Sequence, residues 1–144
     1  MGLMADVRAA LLAMDAVTAL VGTGATARIR PFTLDESDDL SESHIVIDID
    51  SETPQNDISG VGGLVYASVT VSCRALRLQD ANALAQAVRV NGTDPGTGLA
   101  GITAATFDAV LDSTATGITW YGDHSQRKWH DVAQDYTMSF SETT

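Results

Sequence analysis

The sequence predicts an α+β fold, a mainly antiparallel sheet of four to five strands with two amphipathic helices packed on one face. Three observations predict it. Apolar residues recur at helical spacing in two stretches, residues 3–21 and 79–90. Runs at 44–50, 65–74 and 132–141 alternate apolar with polar residues, the period of a half-buried strand. Turn-rich segments, not helices, join most of these runs, which favours antiparallel neighbours.

In chain order, Leu3, Val7, Leu11, Met14, Val17 and Val21 fall at steps of 4, 4, 3, 3 and 4, one face of a single helix. Gly22 follows as a residue that closes a helix without steric cost. A short strand is predicted over 27–32, ended by Pro31 or just after it. Residues 33–43 hold five acids and no base and read as a solvated loop. Over 44–50, Ile45, Ile47 and Ile49 take one face and Val46, Asp48 and Asp50 the other. Pro54, Gly60, Gly62 and Gly63 mark 51–63 as a long turn region. Val65, Ala67, Val69, Val71 and Cys73 then point inward, with Tyr66, Ser68, Thr70, Ser72 and Arg74 outward.

The second helix buries Ala81, Leu84, Ala85 and Val88 and stops at Asn91-Gly92. Residues 91–101 read as an exposed connection, and 104–112 as a short helix in preference to a strand. Two strands close the pattern, at about 117–124 and 132–141. The latter sets Tyr136, Met138 and Phe140 against Asp135, Thr137 and Ser139.

The chain has 144 residues, with 19 acids against 8 Lys plus Arg, a formal charge of −11. One domain spanning 1–144 suits that length, and such a chain buries about 68% of its unfolded surface. The acidic balance argues against holding nucleic acid by its phosphates, and against anionic membrane surfaces. Cys73 is the single cysteine, so neither an internal disulfide nor a multi-cysteine zinc site is possible. No signal peptide or membrane span is read in the sequence, so maturation in a cytoplasm is expected.

The sequence holds few groupings that suggest chemistry. Gly22-Thr23-Gly24 and the glycines at 60–63 complete neither a Walker A nor a dinucleotide fingerprint, and read as turns. His124 and His130 with Asp123 and Asp131 are the one grouping that resembles a metal or acid/base site. Arg127 and Lys128 lie between them, and adjacent residues of an extended chain point to opposite sides. A solvated hairpin end is the better reading, and a small metal-dependent hydrolase the weaker one. Cys73 sits inward with no activating base nearby and reads as a small hydrophobe. Trp120, Tyr121, Trp129 and Tyr136 lack the basic stripe of a base-stacking platform and read as core and subunit-contact residues. No catalytic residue, metal ligand or cofactor site emerges.

Four segments carry a resemblance. They are residues 11–22 followed by Ala27-Arg28-Ile29-Arg30-Pro31; Ile45-Val46-Ile47-Asp48-Ile49-Asp50; Val69-Thr70-Val71-Ser72-Cys73-Arg74-Ala75 followed by the Ala-rich helix 80–89; and Tyr136-Thr137-Met138-Ser139-Phe140. In this order and spacing the chain resembles the tail-completion, or tail-terminator, proteins of long-tailed bacteriophages and gene transfer agents. Residues 91–113 look like a Gly/Thr-rich insertion. Arg74 and His44 depart from that pattern, at positions where an aromatic and a proline are common.

The resemblance implies a non-enzymatic virion protein of the tail neck, made in the bacterial host cytoplasm. It implies a subunit of a ring, a hexamer, that caps the head-proximal end of the tail tube, ends tube polymerisation and joins the head connector. Its partners would be other copies of itself, the major tail tube protein and the head-completion or stopper protein. A different neck component, such as a stopper, is the alternative. The charge gives this reading a place to act. The 43 residues between Arg30 and Arg74 hold nine acids and no Lys or Arg. Asp35, Glu36, Asp38, Asp39, Asp48, Asp50 and Glu52 are therefore the candidate acidic lumen or partner surface. There, DNA would pass without binding.

Overall fold

A computed structural model describes residues 2–24, 27–31, 43–57, 60–91, 98–100, 107–120 and 128–141. Three helices, α1 (Leu3–Leu12), α2 (Asp15–Val21) and α3 (Leu78–Val90), accompany five strands. The strands are β1 (Ile29–Pro31), β2 (His44–Asp57), β3 (Gly60–Ala75), β4 (Asp108–Trp120) and β5 (Lys128–Ser141). They form one sheet in the order β1-β2-β3-β5-β4, antiparallel except for the β1–β2 pair. The predicted α+β class holds.

The predicted opening helix is two helices. Met14 is extended, with φ −91° and ψ 113°, and separates α1 from α2. The apolar stripe runs through the break, since Leu3, Val7, Leu11, Met14, Val17 and Val21 are all buried. A break frees backbone N–H groups that a continuous helix would satisfy. One of them, on Ala16, donates to Asn91 Oδ1 at 3.2 Å. Asn91 itself closes α3 in the left-handed region, with φ 49°. Asn91→Ala therefore removes a cap and strains a left-handed residue, at about 2 kcal/mol. Asn91→Gly keeps the backbone freedom and should lose less. Urea denaturation of the two variants measures the split.

Gly22 ends α2 with φ 92°, as its position predicts. Two arginines then clip the helices to the sheet edge. Arg8 Nε donates to Ile29 O at 3.1 Å, and Arg28 reaches Ser43 O at 2.9 Å and Leu20 O at 3.0 Å.

The hairpin of β2 and β3 corrects the long turn expected over 51–63. Pairing continues from Ser51↔Ser68 out to Asp57↔Gly60. Pro54 is tolerated because, among the described residues, β1 covers only residues 45–47 and leaves the rest of β2 on a sheet edge. The predicted acidic loop at 33–43 falls almost wholly outside the described residues. Of the helix expected over 104–112, residues 104–106 lie outside the described residues, and 108–112 are strand, beginning at Asp108 paired with Ser139. The period was ambiguous there because the short apolar run fits helix and strand alike. At the far side of α3, Leu99 is fully buried rather than part of an exposed connection. Its N–H donates to Val88 O at 2.7 Å, and that of Ala100 to Arg89 O at 3.2 Å, satisfying carbonyls of the last helical turn.

All three helices cover one face of the sheet. Their apolar stripes meet Ile45, Ile47, Val69, Val71, Cys73, Val132, Tyr136 and Met138 in one core. Each fully buried aliphatic side chain in it contributes about 1.5–3 kcal/mol. Among the described residues His44 and Gln134 are the buried polar side chains, and Gln134 on the helix-facing side donates from Nε2 to Ala85 O of α3 at 2.8 Å.

Candidate interaction surface

The face of the sheet opposite the helices is polar and acidic. Register fixes its membership, because directly paired residues share a face. On β3 it carries Tyr66, Ser68, Thr70, Ser72 and Arg74, and on β5 Asp131, Ala133, Asp135, Thr137 and Ser139. Two of the three register shifts in the described sheet shape it, the third lying between Gln55 and Asn56. The register shifts between Ile49 and Ser51 on β2, and between Leu111 and Ser113 on β4. An aspartate occupies each bulge, Asp50 and Asp112, and both turn onto this face.

Hydroxyls link the carboxylates across the strands. Thr70 Oγ1 lies 2.7 Å from Asp50 Oδ2 and 2.8 Å from Asp135 Oδ1. A hydroxyl has one hydrogen, so it donates to one of these carboxylates at a time. Ser113 Oγ donates to Asp135 Oδ2 at 3.1 Å, and Thr137 Oγ1 to Asp112 Oδ2 at 2.5 Å. At the far end Arg74 Nε pairs with Asp131 Oδ2 at 3.1 Å. Among the described side chains, register and hydrogen bonds place Asp48, Asp50, Asp108, Asp112, Asp131 and Asp135 here, against Arg30 and Arg74. Carboxylates therefore outnumber guanidinium groups on this face, while His44 and Val46, which register places on the same side, are buried.

The predicted acidic set is divided by this geometry. Asp48 and Asp50 share the outer face as expected. Glu52 does not join them, because the bulge at Asp50 shifts the alternation and pairs Glu52 with inward-facing Ala67. Asp35, Glu36, Asp38 and Asp39 lie outside the described residues.

Of the histidine grouping, Asp123 and His124 also lie outside them. His130 pairs with Ala75 on the helix side, whereas neighbouring Asp131 pairs with Arg74 on the outer side. Among the described residues, no three His, Cys, Asp or Glu side chains gather as a metal-binding group. Of the four aromatics, Tyr136 is buried in the core, and the side chains of Trp120, Tyr121 and Trp129 fall outside the description. Sequence reasoning missed Asp112, because a helix was favoured there. It also missed the bulges, which no local residue type announces.

Burial pushes the Cys73 thiol above its ordinary value, with the Asp131 charge adding to it. Burial also pushes the Tyr136 phenol up, helped by Cys73 and offset by Arg89. Both groups keep their protons in the folded chain at pH values where the unfolded chain loses them. Their contribution is intact below the unfolded values, about 8.5 for Cys and 10 for Tyr, and falls as pH rises beyond them. The unfolding free energy should drop by about 1.4 kcal/mol per pH unit per group in that window. Urea unfolding between pH 8 and 11 measures it, and a flat profile would contradict the buried placement.

The described residues thus form three helices and a five-stranded sheet, an α+β fold with an acidic outer sheet face. No family model matches it, and no curated protein does. A chain from the solved structure titled "Virion of native gene transfer agent (GTA) particle" matches with a TM-score of 0.56 and 16% identity. The match covers 95% of this chain and 94% of that one. At that identity the likeness is one of fold, and it spans nearly the whole of both chains.

Proposed function

We propose that this chain is a structural virion protein, a subunit of the ring that caps the head-proximal end of a tail tube. The observation that carries it is the fold shared end to end with a chain of a gene transfer agent virion particle. The four-segment resemblance to tail-terminator proteins supports the finer role. A heterologous contact that closes after a fixed rotation produces such a ring, with a hexamer as the expected order. Tube protein on one side and a stopper protein on the other are the partners this role requires.

Electron microscopy of purified particles should show the protein as a six-fold ring at the upper end of the tail. Particles made without it should carry tails of uncontrolled length. Its absence from particles, with normal tails in the deletion, would overturn the proposal. A ring lying beyond the tube, against the connector, would instead identify a stopper.

In this reading the outer sheet face, with Asp48 and Asp50, turns toward the lumen and keeps DNA from adhering. Replacing both residues by Lys should leave ring formation intact and reduce DNA delivery. The comparison of assembled particle counts with transferred DNA measures it, and a ring with this face outward would sink the lumen assignment.

A further inference from the structure

The two edges of the sheet are built differently. Past residue 47 the β2 edge carries Asp48, Asp50, Glu52, Pro54 and a bulge, all devices that discourage strand addition. Among the described residues nothing pairs with the outer side of β4, the opposite edge. Beyond its own bulge at Asp112, β4 runs in unbroken register with β5 from Ser113 to Trp120. That stretch contains no charged residue and no proline. Residues 112–118 are exposed without interruption. Val110 and Ile118, at 61% and 50% exposure, are the most exposed large apolar side chains among those described.

We propose that β4 pairs with β4 of a second copy, antiparallel about a two-fold axis at Thr116. Electrostatics selects the site for this occupant. Two chains of charge −11 repel wherever carboxylates meet, and residues 113–120 form a carboxylate-free strand edge. Register restricts the axis to a residue position. In antiparallel pairing, opposed residues share a face, so two identical strands must pair residues of like parity. Centring on Thr116 satisfies this and sets Thr116 against Thr116 of the second copy, and Thr114 against Ile118. These are β-branched pairs on the helix-side face. Ala115 and Gly117 oppose each other on the outer face, and neither Asp112 nor Asp108 meets another carboxylate. The contact is isologous and closes as a dimer, covering in the free protein an edge that would otherwise template further strands. It goes beyond the virion reading and concerns the soluble chain.

Sedimentation of the full chain should show a concentration-dependent dimer. Thr116→Lys puts like charges face to face at the axis and should halve the sedimenting mass, with the circular dichroism spectrum unchanged. Thr116→Cys adds an exposed thiol to a chain whose own Cys73 is buried. Opposed strand residues lie about 4.5–5.5 Å apart between Cα atoms, within disulfide range. Mild oxidation should therefore link most Thr116→Cys chains in pairs and leave Thr53→Cys, on the guarded edge, unlinked. A monomeric chain, a dimer indifferent to Thr116→Lys, or equal cross-linking at both positions would overturn the proposal. None of those results bears on the ring in particles, which the microscopy decides separately.

Discussion

Tyr136→Ala is expected to cost about 3–5 kcal/mol, a third or more of the stability of an ordinary domain. Tyr136 is fully buried at the centre of the sheet's helix-facing side. Its hydroxyl donates to Gln134 Oε1 at 2.6 Å, and Gln134 donates onward to Ala85 O at 2.8 Å. The ring thus fills the core while its hydroxyl satisfies a glutamine that is 1% exposed. Alanine removes both, leaving a cavity and a buried acceptor without its donor. Tyr136→Phe separates the two effects. It keeps the packing and should cost about 1–3 kcal/mol, the penalty of an orphaned buried acceptor. Midpoints of urea unfolding order the series, provided the slopes agree. A phenylalanine variant as stable as the parent would show that the Tyr–Gln–helix chain contributes nothing.

Gly98→Ala should be comparably damaging for a different reason. A Cβ there would overlap Arg89 O, its carbonyl carbon and Val90 Cα. All three are backbone atoms of the last turn of α3, which cannot swing aside as a side chain can. Relief requires residues 98–100 to back away. That movement breaks the hydrogen bonds from Leu99 to Val88 and from Ala100 to Arg89, and lifts Leu99 out of the core. Overpacking plus two lost bonds amounts to about 3–5 kcal/mol. Gly117→Ala is the matched control, because its Cβ would meet nothing within 4 Å. It should fall within about 0.5 kcal/mol of the parent, as surface changes do. Equal losses at the two glycines would refute the close-packing account of Gly98.

Periodic hydrophobicity made most of the framework legible. The inward set Val65, Ala67, Val69, Val71 and Cys73 is buried throughout, as are Ala81, Leu84, Ala85 and Val88. Features decided by distant partners were not legible. The break at Met14 leaves the apolar stripe intact, and the side chain that serves it, Asn91, lies 75 residues beyond Ala16, whose N–H it accepts. The hairpin beyond Asp50 looked like a turn because proline and glycine report local preference, whereas pairing with β3 overrides it. The acidic face was half legible. The outward rows on β3 and β5 could be read from alternation. Their union with Asp112 needed the sheet order, and the loss of Glu52 needed the bulge.

The sheet order also sets a timetable. β5 is the latest of the described strands along the chain, yet it lies inside the sheet, between β3 and β4. During synthesis β2 and β3 can zip together early, but the other side of β3 waits for residues 128–141 to emerge. Until then Val69, Val71 and Cys73 lack the neighbours Tyr136, Gln134 and Val132 that complete their face. β4, made in the interval, has nothing to pair with. Folding is therefore held until β5 arrives, and the nascent chain spends that interval with open strand edges in the care of the ribosome's surroundings.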